Sequence, residues 1–230
     1  MLTRLQTFAN FHGIGQCVAC LCRNDLPLAW CRACLAALPL LPPCNVLSWQ
    51  PSSRLARSCR YVFSAAYYQA TMARLIKAYK DKQQLGLTDS LAWLLTQHLQ
   101  RCYARYQQPL PQCIVAMPMT STNWRKRGFH QTGLLSQALA QHLRLPHYRG
   151  ALKRSYHRQQ RQATAQQRWL NTRYAIHSAV RWQQQRVALV DDVITTGASA
   201  CAAARALKKR GAGSVDVWTL AYTPPLPLPG

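Results

Sequence analysis

The sequence predicts an α/β fold: a parallel sheet with crossover helices, preceded by a small cysteine-rich module. Three observations predict it. In the second half of the chain short apolar strands alternate with helical patterns, which is how a parallel sheet with crossover connections reads. One of those strands, Val187–Asp192 (VALVDD), runs into Thr195–Ser199 (TTGAS) and an Ala/Leu/Arg helix. Residues 1–60 are rich in Cys and Pro, carry two CxxC pairs and show no sustained periodicity, the pattern of a module held together by metal.

Each element has its own reason. Tyr61–Tyr68 (YVFSAAYY) reads as a strand. Ala70–Lys80 and Thr88–Tyr106 place apolar residues at helical spacing, with Thr88 or Asp89 as the cap of the second helix and Pro109 and Pro111 beyond its end. Cys113–Pro118 (CIVAMP) is a short buried strand closed by proline. A polar, cationic loop follows it, then a helix over Phe129–Leu143. Residues 150–186 are Arg/Gln-rich and poorly periodic, the reading of a long mobile loop with one short helix. Val187–Asp192 is a fully buried strand, Ala198–Lys209 a helix stopped by Gly211, and Ser214–Tyr222 a further strand. The expected division is 1–60 for the cysteine module, 61–223 for the α/β domain and 224–230 for an extended Pro-rich tail.

The chain has 230 residues, 49% of them hydrophobic, which excludes wholesale disorder and suffices for one core. No apolar run approaches the length of a membrane span, and the first residues lack the apolar stretch of a secretory signal. A cytoplasmic location with reduced thiols is the expectation, so ten cysteines ask for metal or burial before disulfides. The formal charge is +23, from 29 Lys and Arg against 6 acidic residues. All the acids are Asp, and none falls between Asp89 and Asp191, a stretch dense in Arg and Lys. Two readings stand: a composition drifted towards Arg and Gln, or a polyanionic partner, of which nucleic acid is the commonest. Trp124 beside Arg125 and Trp169 beside Arg168 are the aromatics best placed to stack on single-stranded bases.

Cys17 and Cys20 (CVAC) with Cys31 and Cys34 (CRAC) can present four thiolates to one tetrahedral ion, which fits structural Zn²⁺; buried free thiols and an adventitious disulfide are the alternatives. Cys22 is a spare. Cys102, Cys113 and Cys201 read as core residues.

In Val187–Ser199 each part suits a phosphorylated sugar. A helix N-terminus offers unpaired N–H groups and a positive dipole end. Gly197 permits close approach of the backbone, Thr195, Thr196 and Ser199 add hydroxyl donors around the same anion, and Ala198 lies between them where the helix opens. Asp191 and Asp192 accept hydrogen bonds from vicinal hydroxyls. This segment resembles the phosphoribosyl-pyrophosphate (PRPP) signature of type I phosphoribosyltransferases. The resemblance implies that Asp191 and Asp192 hold the ribose hydroxyls, that Thr195–Ser199 wrap the 5′-phosphate, and that Mg²⁺ rides on ribose and pyrophosphate oxygens. Upstream, Val115–Ala140 is similar to the V-P-x…R-G-F-N-Q…L-L segment of the ComF/GntX family in Pro118, Arg127, Gly128, Phe129, Gln131, Leu134 and Leu135; His130 stands where Asn is usual. Arg125, Lys126 and Arg127 would then form a second anion position at a helix entrance. The family's mobile basic loop aligns with Lys153–Tyr174, with Arg154, Gln159 and Arg168 as its matching residues. Many family members carry a second pair of cysteine knuckles; here only Cys44 and Cys59 remain, so one metal is expected.

The resemblance implies a role in natural competence or DNA utilisation, with PRPP, single-stranded DNA and proteins of the competence machinery as partners. An active transferase moving a phosphoribosyl group to a nucleobase or amine is a second hypothesis, and a PRPP-sensing regulator a third. No catalytic residue is assigned. The sequence has no Glu, so a general base would be Asp or His.

Overall fold

The computed structural model describes residues 15–24, 29–81, 83–155 and 176–224. Gln159, Arg168 and Trp169 lie outside them. The chain forms α1 (Arg32–Ala36), a 3₁₀ turn (Val46–Trp49), α2 (Arg54–Ser58), β1 (Tyr61–Tyr67), α3 (Ala70–Asp81) and α4 (Leu87–Arg105). It continues through β2 (Cys113–Ala116), α5 (Ser121–Arg127), α6 (Gln131–Leu143), β3 (Leu152–Arg154), β4 (Ile176–Ser178), β5 (Arg186–Ile194), α7 (Ala198–Lys209) and β6 (Ser214–Tyr222).

A strand covered on both faces has no reason to alternate, and Val187–Val190 and Val215–Tyr222 are buried throughout. They form the middle of a parallel sheet of order β1-β6-β5-β2, while β3 and β4 pair antiparallel outside it. Successive side chains leave a strand on opposite sides. Ala188 and Val190 accordingly enter a core with Leu91 and Leu95 of α4 and Leu135 and Leu139 of α6. Val187 and Leu189 enter another with Ala203 and Leu207 of α7, Leu152 and Ile176. The N-terminal segment joins both cores, Trp30 and Leu38 on the first side, Leu41, Val46 and Cys59 on the second. The sheet edges are covered: Leu40 bridges β1 through Ala66, and His147 bridges β2 through Ile114, which hides open backbone groups from other chains.

Several expected boundaries move. Helix α4 starts at Leu87 behind Gly86 with no side-chain cap, so Thr88 and Asp89 lie in its first turn, and the Thr88 hydroxyl donates to the Leu85 carbonyl at 2.7 Å. The cationic stretch after Pro118 contains a helix, α5, capped by the Thr120 hydroxyl, which accepts from the Asn123 amide at 3.2 Å. The next helix starts at Gln131 rather than Phe129, because Gly128 takes a left-handed conformation (φ 73°) that ends α5. The stretch 150–186 holds the β3–β4 pair, too short to show a period in sequence.

At the end of the sheet opposite the phosphate-type loop, Asp216 is buried and takes two hydrogen bonds from Arg60, at 2.9 and 2.6 Å, and one from the Tyr103 hydroxyl at 2.6 Å. Trp218 Nε1 donates to that hydroxyl at 3.0 Å. Removing the cation leaves a buried carboxylate without its counter-charge. Arg60→Met is expected to destabilise the fold by about 3 kcal/mol, read as a lower urea midpoint at unchanged slope.

Candidate functional site

Strand β2 stops pairing at Ala116 opposite Val190, while β5 runs on to Ile194. Pro118 follows β2 and lacks the N–H needed to extend a ladder. The last residues of β5, Asp191 among them, therefore stand clear of that neighbour at the carboxyl end of the sheet, where open α/β sheets gather ligands. Thr195 and Thr196 are exposed, Gly197 is buried at φ +71°, and Ser199 is half-buried. The Ala198 amide donates to Thr196 Oγ1 at 3.4 Å and that of Cys201 to the Gly197 carbonyl at 2.8 Å. The amides of Thr195, Thr196, Gly197 and Ser199 meet no protein acceptor among the described residues. A Cβ on Gly197 would sit 2.6 Å from Leu55 Cδ2 of α2. Helix α2 thus presses on the bend and fixes its shape. It is tied to α7 through Ser58 Oγ and Cys201 Sγ, 3.1 Å apart, so Cys201 is a core residue with a structural contact.

The two aspartates leave β5 in different directions. Asp192 is buried and takes Lys80 Nζ of α3 at 2.7 Å, with Gln131 Nε2 of α6 at 3.4 Å from its other oxygen. Its Oδ1 also accepts the Val193 amide at 2.7 Å. Gln131 Oε1 is buried with no partner among the described residues, and the Gln131 carbonyl accepts from the Tyr79 hydroxyl at 2.8 Å. Asp191 is half-buried, accepts the Asp192 amide at 2.9 Å, and lies in the field of Lys80 and of Arg154 on β3. Burial and then the adjacent Asp192 carboxylate raise the Asp191 carboxyl to about 8, with both cations pulling it back. Burial lowers Arg154, and the charge of Asp191 offsets part of that. Adjacent like charges are costly alone; here a cation answers from each side of the sheet. Lys80 carried no motif, and only its place in the last turn of a helix preceding the sheet's far strand hinted at this role.

Arg125, Lys126 and Arg127 close helix α5 instead of opening one. The sequence reading placed them at a helix entrance; Gly128 is the reason, since its left-handed turn ends α5 and only three residues on does α6 begin. In that C-terminal turn Arg125 and Arg127 complement the negative end of the helix dipole. Arg125 is exposed, and Arg127 Nη2 lies 3.5 Å from Asp81 Oδ1, beside Lys80. His130, standing where the family has Asn, hydrogen-bonds through Nε2 with the Met117 carbonyl and Thr132 Oγ1 at 2.9 and 2.8 Å, and so ties the start of α6 to the end of β2.

The sulfurs of Cys17, Cys20, Cys31 and Cys34 lie within 4.8 Å of one another, Cys20 and Cys31 at 3.9 Å. Four thiolates around one Zn²⁺ at about 2.3 Å stand roughly 3.8 Å apart, so the donor set fits one tetrahedral ion. The Ala19 and Cys34 amides donate to Cys17 and Cys31 sulfurs at 3.5 and 3.4 Å, which stabilises thiolates. Cys22 is exposed, Cys44 half-buried and Cys59, Cys102 and Cys113 buried; none of them joins the cluster.

Parallel sheet, loop and aspartates together define a phosphoribosyltransferase-like domain, here with a Cys₄ cluster before it. The phosphoribosyl transferase domain profile matches residues 134–227. The chain is 30% identical over 223 residues to the DNA utilization protein YhgH of Salmonella typhi, covering 88% of this chain and 96% of that one. It is 29% identical over 239 residues to Competence protein F of Haemophilus influenzae, covering 94% and 99%. It belongs to the ComF/GntX family. Among solved structures, a hypoxanthine phosphoribosyltransferase from Staphylococcus aureus overlaps 59% of this chain and 65% of its own, at 15% identity and a TM-score of 0.37. Among the described residues no helix is long and apolar enough to cross a membrane.

The raised Asp191 carboxyl has a consequence for stability. The folded protein holds that proton more tightly than the unfolded chain, so the contribution is complete below about pH 4 and is lost as pH rises through about 8. Asp191→Asn is expected to flatten that part of the profile; thermal melts across this range check it, and an unaltered slope in the variant contradicts the assignment.

Proposed function

We propose that this protein binds PRPP with Mg²⁺ at the carboxyl end of β5 and handles single-stranded DNA in the cytoplasm, serving DNA uptake or utilisation. One observation carries the first part: in the bend that directly follows Asp191 and Asp192, the amides of Thr195, Thr196, Gly197 and Ser199 meet no protein acceptor among the described residues. In this reading the bend takes the 5′-phosphate, with Ala198 opening the helix behind it. Asp191 accepts the ribose hydroxyls. Asp192, neutralised by Lys80, sets the field behind Asp191 and holds Gln131. Mg²⁺, when bound with PRPP, would screen the charge of the pyrophosphate and would need few ligands from the protein. Arg154, whose charge acts on Asp191 and which among the described residues is not paired in a salt bridge as Lys80 is, is the cation offered to the pyrophosphate; Arg125 and Arg127, at the end of α5, serve nucleic acid better than the sugar. The cysteine cluster holds one structural Zn²⁺. The DNA reading follows the charge of +23 and the names of the relatives, a competence protein and a DNA utilization protein. Their partners in the competence machinery are candidates for this chain too.

Calorimetry with Mg²⁺ and PRPP tests the site. Asp191→Asn with Asp192→Asn is expected to weaken binding about tenfold, the ribose contact of Asp191 being lost together with the charge behind it, while circular dichroism stays native; Asp191→Asn alone guards against misfolding caused by stranding Lys80. Undiminished binding in both variants overturns the assignment. Release of pyrophosphate with a nucleobase present separates a transferase from a binder.

The metal has its own test. Native mass spectrometry is expected to find one zinc per chain, and Cys20→Ser with Cys31→Ser to lose it together with thermal stability.

A further inference from the structure

Beside the outer edge of β2 lies a cavity of about 760 Å³, walled by the residues after that strand, by α5 and α6, and by the chain leading into β3. None of the residues from Asp191 to Ser199 lines it, so it is distinct from the phosphate-type loop. Its volume is that of a small-molecule site. Trp124 and Phe129 supply aromatic wall and Arg149, Lys153 and Arg154 supply positive charge, with no carboxylate in the lining. The indole of Trp124 is 51% exposed, although burying a tryptophan is strongly favourable. It is held at the mouth by His130, ring centroids 6.2 Å apart and planes at 60°. His130 is fixed in turn by the Met117 carbonyl and Thr132. Arg149 is exposed, with its guanidinium hydrogen-bonded to Gln137 Oε1; Lys153 is exposed on β3.

We infer that this cavity seats one nucleotide of a single-stranded polynucleotide, the base against Trp124 and the flanking phosphates on Arg149 and Lys153. The inference rests on the DNA reading above and locates it. A flat aromatic face with cations at its margin binds a base and its phosphates together, the two contacts that sequence-tolerant single-strand binding requires. Paired bases are stacked within the duplex and cannot present a face to the indole. A strand suits the site better than a free nucleotide, because the lining offers separate exposed cations, Arg149 and Lys153, and a strand brings a phosphate to each of them where a lone nucleotide brings one.

Fluorescence anisotropy with a labelled oligo-dT of about 20 nucleotides, long enough for such sites, tests it. Trp124→Ala is expected to weaken binding about tenfold, the scale of one base–aromatic stack, at unchanged salt slope, and Trp124→Phe to restore most of it. Wild type is expected to bind an abasic oligomer as weakly as Trp124→Ala binds oligo-dT. Arg149→Gln is expected to reduce the salt slope by about one, since one phosphate contact is lost. If wild type binds oligo-dT but neither Trp124→Ala nor the abasic oligomer changes affinity, the cavity assignment falls and the DNA reading stands. If wild type binds no oligomer, the DNA reading falls and takes the assignment with it. Thymidine monophosphate binding as tightly as the oligomer overturns the choice of a strand.

Discussion

Two carboxylates follow one another at the end of a strand whose preceding residues are all apolar and buried, and the surrounding structure has to make that tolerable. Strand geometry supplies half the answer by sending the side chains to different sides of the sheet. The other half comes from Lys80, 2.7 Å from Asp192, and from Arg154, whose charge acts on Asp191. Helix α3 must therefore be long enough to bring its last turn to the carboxyl end of the sheet, and β3 must stand where Arg154 can face β5. The bend between β5 and α7 is held from outside as well, by Leu55 against Gly197. A loop fixed in this way keeps its shape without spending the amides of Thr195, Thr196, Gly197 and Ser199 on any other described residue.

The sheet was legible because its signal is local. VALVDD cannot be amphipathic in any register and reads as a fully buried strand; SVDVWTLAY reads as a strand, but the alternation of Ser214 and Asp216 with Val215 and Val217 does not show that it lies in the middle of the sheet. The bend was legible for the same reason, every residue of it being contiguous. What stayed hidden depends on contacts between segments far apart in sequence. Nothing about Lys80 distinguishes it from any other lysine in an amphipathic helix until Asp192 stands beside it. Leu55 reads as part of a cysteine-rich stretch until Gly197 leaves no room for a Cβ. The basic triplet reads as loop before the entrance of the next helix because α5 is only two turns long, too short to impose a period, and the left-handed turn at Gly128 that ends it does not show in composition.

Among the described residues the few acidic groups are engaged within the protein. Asp81 meets Arg127, Asp192 meets Lys80 and Asp216 meets Arg60, and Asp89 lies 3.0 Å from His142 Nε2. The three Arg and Lys pairs remove one charge of each sign and leave the net +23 where it was. The excess is carried by side chains facing water, among them Arg125, Arg149 and Lys153. Mutual repulsion among them opposes folding and is relieved only by ions from outside. A polyanion lying along that surface relieves it more completely than dispersed salt, because its phosphates are already linked and displace the loosely held counterions together.

Arg154 belongs to two neighbourhoods at once. It lines the cavity, and its charge offsets part of the cost of burying Asp191. The guanidinium that lines the space beside β2 is therefore also one that makes a carboxyl next to Asp192 tolerable at the end of β5, and β3 is held to its place beside the sheet by the same pair of carboxylates that Lys80 answers from the other side.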